Sequence, residues 1–174
     1  MTLPSNTLSA LAAMPDRFEA AFLTVPAGFR AWTPPSWEGI PGERFSPIGQ
    51  VCHVRDIEID GYHVRFARML AEERPDLVSI DGYELAASRN YETTDAREAF
   101  AAFRKARAAT VKLLEGLGPA QLARRGTFAE YGDLNLSALV HYLSMHDFLH
   151  LACLDWLLGQ IHSAGAPARP ASRG

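Results

Sequence analysis

The stretch His141–Gln160, HYLSMHDFLHLACLDWLLGQ, narrows the folds open to this chain more than any other. Leu143, Leu149, Leu151 and Leu154 bracket two histidines, His146 and His150, that stand four residues apart. A segment this apolar reads as a buried helix and needs other elements packed around it. On a helix, a spacing of four sets the two imidazoles on one face, one above the other. Two buried imidazoles side by side are costly unless each nitrogen has a partner. A shared metal ion supplies that partner, and a helix offering two ligands in this way is common in metal sites.

Other segments supply the helices that such a core needs. Thr7 to Leu23 carries a helical apolar pattern, with Pro15 suited to N1 of a first helix beginning near Met14. Ser46-Pro47 pairs an N-cap residue with a proline at N1, and predicts a second helix to about Glu73, stopping before Pro75. A third helix opens at Thr94 or Asp95 and runs through Glu115, ended by Gly116 and Gly118-Pro119. Asn135 caps the fourth, expected to reach about Leu158, with Leu134 and Leu139 as a hydrophobic staple.

Between them lie the Pro-, Gly- and Trp-rich connection Val25–Phe45, a second connection Asp76–Thr93 and the polar loop Gly126–Asp133. Trp32 and Trp37 are too apolar to lie free in water and are expected to pack over an opening in the core. No strand pattern stands out. The expectation is an all-α, four-helix bundle with long connections: one domain over residues 1–160 and a disordered Pro/Ala/Gly-rich tail over 161–174.

Composition sets bounds on function. The 174 residues are 48% hydrophobic and 21% charged, with a formal net charge of −3, as in an ordinary soluble globular domain. No basic stripe with interleaved aromatics points to nucleic acid. Arg104, Lys105, Arg107 and Lys112, flanked by Glu98 and Glu115, read as a solvated helix face. No apolar run approaches the roughly 18 residues that a bilayer span requires. Cys52 and Cys153 lie far apart in apolar segments, which suits small core side chains in a reducing compartment better than a disulfide. A cytoplasmic protein is expected, without a membrane or nucleic-acid partner.

His53, near the start of the second helix, has the character of a third ligand. Three histidines on two helices leave coordination positions open for chemistry, and suit zinc, nickel, copper or iron. His63 lies about 80° round an ideal helix from His53, and His141 about 140° from His146, so both are expected to point elsewhere. Asp147 is expected to face away from the metal. Asp60, on the face of His53 but two turns deeper, and Asp56, one turn away, are candidate acceptors for a ligand N–H or general bases.

The segments FSPIGQVCHVRDIE, HDFLH and ELAASRNYETTDAREAFAAFRKAR, in this order and spacing, resemble the DinB-like family over roughly residues 8–160. The family comprises four-helix-bundle metalloproteins with a three-histidine site. The resemblance implies that His53, His146 and His150 bind a divalent ion, nickel or zinc, with water in the remaining positions. It implies Arg89 and Tyr91 as pocket-lining, substrate-binding residues, and a homodimer. Relatives include S-transferases and isomerases that use low-molecular-weight thiols. The expected function is therefore a metal-dependent enzyme that transfers a small thiol to an electrophilic small molecule, with a thiol as cosubstrate. A metal-dependent hydrolase, or a non-catalytic ligand-binding bundle, is the alternative. The long Trp- and Pro-rich first connection departs from the family pattern.

Overall fold

The computed structural model describes residues 3–129 and 131–165. Four long helical stretches form a bundle: α1 (Ser5–Thr24), α2 (Pro47–Asp56) continued by a π-turn segment (Ile57–Tyr62) and α3 (His63–Ala71), then α5 (Ala96–Glu115) and α7 (Leu136–Ser163). Two short helices, α4 (Gly82–Ser88) and α6 (Pro119–Leu122), lie in the connections. Side chains cap most of the helix starts, each taking an N–H that the helix leaves unpaired. Ser46 accepts from Gly49 N–H, Asp95 from Glu98 N–H and Asn135 from Ala138 N–H. α1 and α2 each pack against both α5 and α7, so the first and second stretches alternate with the third and fourth around the core.

Three details differ from the sequence expectation. α1 begins at Ser5, with Pro15 inside it rather than at its first turn. Proline has no N–H to give to the carbonyl four residues back. That carbonyl, of Leu11, instead accepts from Arg107 Nη1 at 2.9 Å. The segments read as loops contribute a small sheet: β1 (Asp76–Leu77) runs parallel to β2 (Arg125–Phe128), which pairs antiparallel with β3 (Gly132–Asn135). Strands of two to four residues are too short to show a period of two. Finally, α7 continues past Leu158 and Gly159, so residues 161–163 of the expected tail are helical, and 166–174 lie outside the described residues.

The π turn bends the pattern within the second stretch. His63 N–H reaches back five residues to the Glu58 carbonyl. The extra residue rotates everything after it relative to an ideal helix. At the start of this turn the Glu58 carboxylate lies in the core, where it meets Arg107.

Arg107, read from sequence as part of a solvated face, is 1% exposed. It falls in helical step with Phe100, Phe103, Thr110 and Leu114 on the buried face of α5. Its Nε lies 2.8 and 3.0 Å from the Glu58 oxygens, and Nη1 lies 2.7 Å from Asp147 Oδ2. Thr110 Oγ1 donates to Glu58 Oε1 at 2.6 Å, and His63 Nε2 lies 3.0 Å from Thr110 Oγ1. One cation thus serves two buried carboxylates. Burial pushes the Asp147 carboxyl up to about 6, an effect that the shared Arg107 only partly offsets.

Removing the cation strands both carboxylates, so Arg107→Met is expected to cost about 3–5 kcal/mol in urea unfolding. Because the folded Asp147 pKa, about 6, exceeds the ordinary 3.8, the stabilisation from its proton is complete below 3.8 and lost as pH rises through 6. Asp147→Asn removes that dependence. Its stability relative to the parent should therefore improve between pH 4 and pH 7, read from urea midpoints across the range.

Candidate metal centre

Three elements bring four potential ligands together. The middle of α2 supplies His53, α7 supplies His146 and His150, and the long 25–45 connection supplies Glu43. Their ligand atoms all lie within 4.8 Å of one another. His53 Nε2 is 3.2 Å from His146 Nε2. Glu43 Oε2 is 3.1 Å from His53 Nε2 and 3.2 Å from His150 Nε2. Ligand atoms about 2.0–2.1 Å from a shared tetrahedral ion stand roughly 3.3 Å apart, so these separations match a common coordination sphere.

The protonation pattern supports this fit. Gln50, buried on α2 three residues before His53, donates from Nε2 to the carbonyls of Glu43 and Phe45. Its Oε1 lies 2.6 Å from His150 Nδ1 and so accepts that N–H. This contact leaves Nε2 facing the cluster, 3.2 Å from Glu43 Oε2. Burial, with the neighbouring imidazoles behind it, drives His146 well below the ordinary histidine value, and burial lowers His150 as well. Neutral imidazoles are the form that binds metals. Burial would raise the Glu43 carboxyl, but contacts with His150 and His53 outweigh it and keep the group ionised. Four donors of nitrogen and carboxylate type, three of them imidazoles, suit a divalent transition-metal ion.

The surroundings fix the rings. Phe45 stacks on His53 at 4.8 Å between centroids. Gly82, the first residue of α4, lies so close that a Cβ there would come within 2.6 Å of His53 Cε1 and 2.9 Å of Glu43 Oε1. Trp37 stacks on Trp156 of α7 at 6.1 Å, and Trp32 meets Phe29 edge-on, so both tryptophans of the connection are anchored. A cavity of about 240 Å³ opens beside the cluster; Glu43, His53 and His146 form one side, and Tyr62, Arg65 and Phe128 belong to its wall.

The other sequence candidates lie elsewhere. Neither Asp56 nor Asp60 lines the cavity. Asp56 is bound by Arg55 at 2.6 Å and by Arg89 at 3.0 Å, and Arg89 also holds Asp60 at 2.7 Å. Burial would raise Asp56, but Arg55, Tyr91 and Arg89 together hold it below its ordinary value, which makes it a weak base. The π turn explains Asp60, since positions beyond Ile57 no longer follow ideal-helix angles. Arg89 and Tyr91 engage these acids rather than the cavity, and burial together with Asp56 pushes the Tyr91 phenol up. His63 binds Thr110, while His141 and His162 are exposed. Cys52 and Cys153 are buried and free, and burial with Glu43 nearby raises the Cys153 thiol to about 11.

Glu43 and Gln50 went unread in the sequence. Nothing local marks Glu43 within its irregular connection. Gln50 carried a signal: a polar side chain one turn before His53 in an otherwise apolar segment.

The sequence profile of the DinB superfamily matches residues 10–154. The chain belongs to the DinB superfamily. Among solved structures it resembles YfiT from Bacillus subtilis, described as a probable metal-dependent hydrolase with an unusual four-helix bundle topology. The two share 18% identity over 94% of this chain and 91% of YfiT, with a TM-score of 0.78, a likeness of fold. No curated protein matches.

Within this superfamily member, Gln50 and Gly82 are the supporting positions to probe. Gln50→Leu should weaken divalent-metal binding at this cluster about 10–100-fold by releasing the His150 ring. Gly82→Ala should displace His53 and weaken binding while the far-UV circular dichroism stays unchanged. Competitive metal titration reads both.

Proposed function

We propose that His53, His146, His150 and Glu43 hold a divalent zinc or nickel ion, and that the protein is a metal-dependent hydrolase of a small molecule. The observation that carries this reading is the convergence of three imidazole Nε2 atoms and one carboxylate oxygen beside a cavity. When bound, such an ion supplies Lewis acidity and brings the pKa of water toward about 7. The chain's own residues do the rest. Glu43 borders the cavity, and its carboxylate can take a proton from the attacking water once the contacts with His150 and His53 that now hold it below its ordinary value are given over to the ion. It then returns that proton to the leaving group. Gln50 and Gly82 keep the imidazoles oriented throughout. The description of YfiT as a probable metal-dependent hydrolase supports the same class.

The second reading is transfer of a low-molecular-weight thiol to an electrophile, as the family resemblance implies. It is favoured by the neutral imidazoles, which leave a bound ion its charge for holding a thiolate. Glu43 favours hydrolysis, because a carboxylate in the cluster offsets part of that charge and accepts protons. We further propose a homodimer through Met145 and Phe148, exposed one turn apart on α7, and a cytoplasmic setting that suits two free buried thiols. No helix among the described residues is long and apolar enough to cross a membrane.

Chelator treatment, His146→Ala and His150→Ala should each abolish turnover of activated esters and amides and remove bound metal. Glu43→Gln should keep the fold and lower kcat about 10²–10⁴-fold. Turnover without added thiol supports hydrolysis; turnover only with thiol replaces it with transfer. In sedimentation analysis, Met145→Asp with Phe148→Asp should shift a dimer to monomer, and an unchanged mass would remove this interface.

A further inference from the structure

Two arginines are buried among the described residues, and they are treated differently. Arg107 has two carboxylates. Arg65, 5% exposed, has none among the described residues. Its Nε and Nη2 both donate to a single acceptor, the Val78 carbonyl, at 3.2 and 2.9 Å. Aromatic faces supply the rest of its surroundings, Phe128 at 4.5 Å and Tyr62 at 5.1 Å from the guanidinium carbon. Guanidinium stays protonated even when burial disfavours its charge, so a full positive charge sits here without a counterion among the described residues. Nη1 makes no hydrogen bond to any described residue. Gly61, in the π turn, leaves room for the guanidinium, since a Cβ there would lie 2.7 Å from Nη1.

Arg65 belongs to the wall of the cavity that His53, His146 and Glu43 border. Its charge reaches the cluster, being among those that disfavour protonation of His146. A cation desolvated by aromatic rings, short of acceptors and next to a reactive cluster is the arrangement by which proteins recognise oxyanions.

We propose that Arg65 is a substrate-binding residue, and that the molecule entering this cavity carries a carboxylate or phosphate group that docks on its guanidinium while the reacting end faces the histidine cluster. The location of the reacting end rests on the metal-dependent reading above; recognition of the anion does not. The cavity volume of about 240 Å³ suits a small acid rather than a polymer.

The test compares benzoate and phenyl phosphate with neutral benzamide, by calorimetric titration of metal-free and zinc-loaded protein. At least one anion should bind metal-free protein ten-fold or more tightly than benzamide. That preference should disappear in Arg65→Met and persist in His146→Ala. In the unaltered protein, the Arg65 Nε–H resonance should shift on titration with the preferred anion, a readout that holds even if Arg65→Met does not fold. Equal binding of anions and benzamide, or an anion preference with no shift of the Arg65 resonance, overturns the proposal. Anion binding that appears only with zinc and survives Arg65→Met also overturns it, while leaving the metal reading intact. Arg65-dependent anion binding in a protein that takes up no metal keeps the proposal and removes the metal reading.

Discussion

One guanidinium joins all four long helical stretches. Arg107 leaves α5 and meets the Leu11 carbonyl of α1, Glu58 of the π turn and Asp147 of α7. In the buried core the alternative to these contacts is an unpaired charge, so the helices cannot slide or rotate independently without stranding it. The cluster depends on this constraint. Asp147 directly follows His146, and Glu58 lies little more than a turn beyond His53. The contacts that settle α5 among its neighbours therefore also set the register in which the histidines of α2 and α7 face each other.

The site is assembled from unequal parts. Its imidazoles stand on packed helices, where a neighbouring amide orients one of them and a glycine seats another. Its carboxylate arrives on an irregular connection whose own backbone Gln50 holds in two places. The same glutamine therefore orients His150 and anchors the connection that delivers Glu43. Rigid ligands with one loop-borne partner are a sensible division for chemistry, since the loop-borne group can exchange between binding and proton transfer.

The helices were legible because caps and apolar periodicity are local. Ser46, Asp95 and Asn135 each announced a helix that the structure contains. The meeting of His53, His146 and His150 was legible because two of them share a helical face and the third has an apolar helix to itself. What escaped depends on events remote in sequence. Pro15 lies inside a helix, and the carbonyl it orphans is met by Arg107, far away in sequence. Asp60 left the expected face because a π turn inserted a residue. Glu43 has no periodic context, the two-residue β1 forms only through a partner some fifty residues away, and β2 and β3 are too short for their hairpin to show a period of two.

The interruption in α1 reaches further than its own turn. A residue with a backbone N–H at position 15 would restore the helical bond to the Leu11 carbonyl alongside Arg107, whereas beside the proline loss of the arginine would leave that carbonyl bare. The two positions are thus epistatic. A change acceptable at one depends on what occupies the other, and drift at position 15 of an outer helix is tied to the charge state of the core.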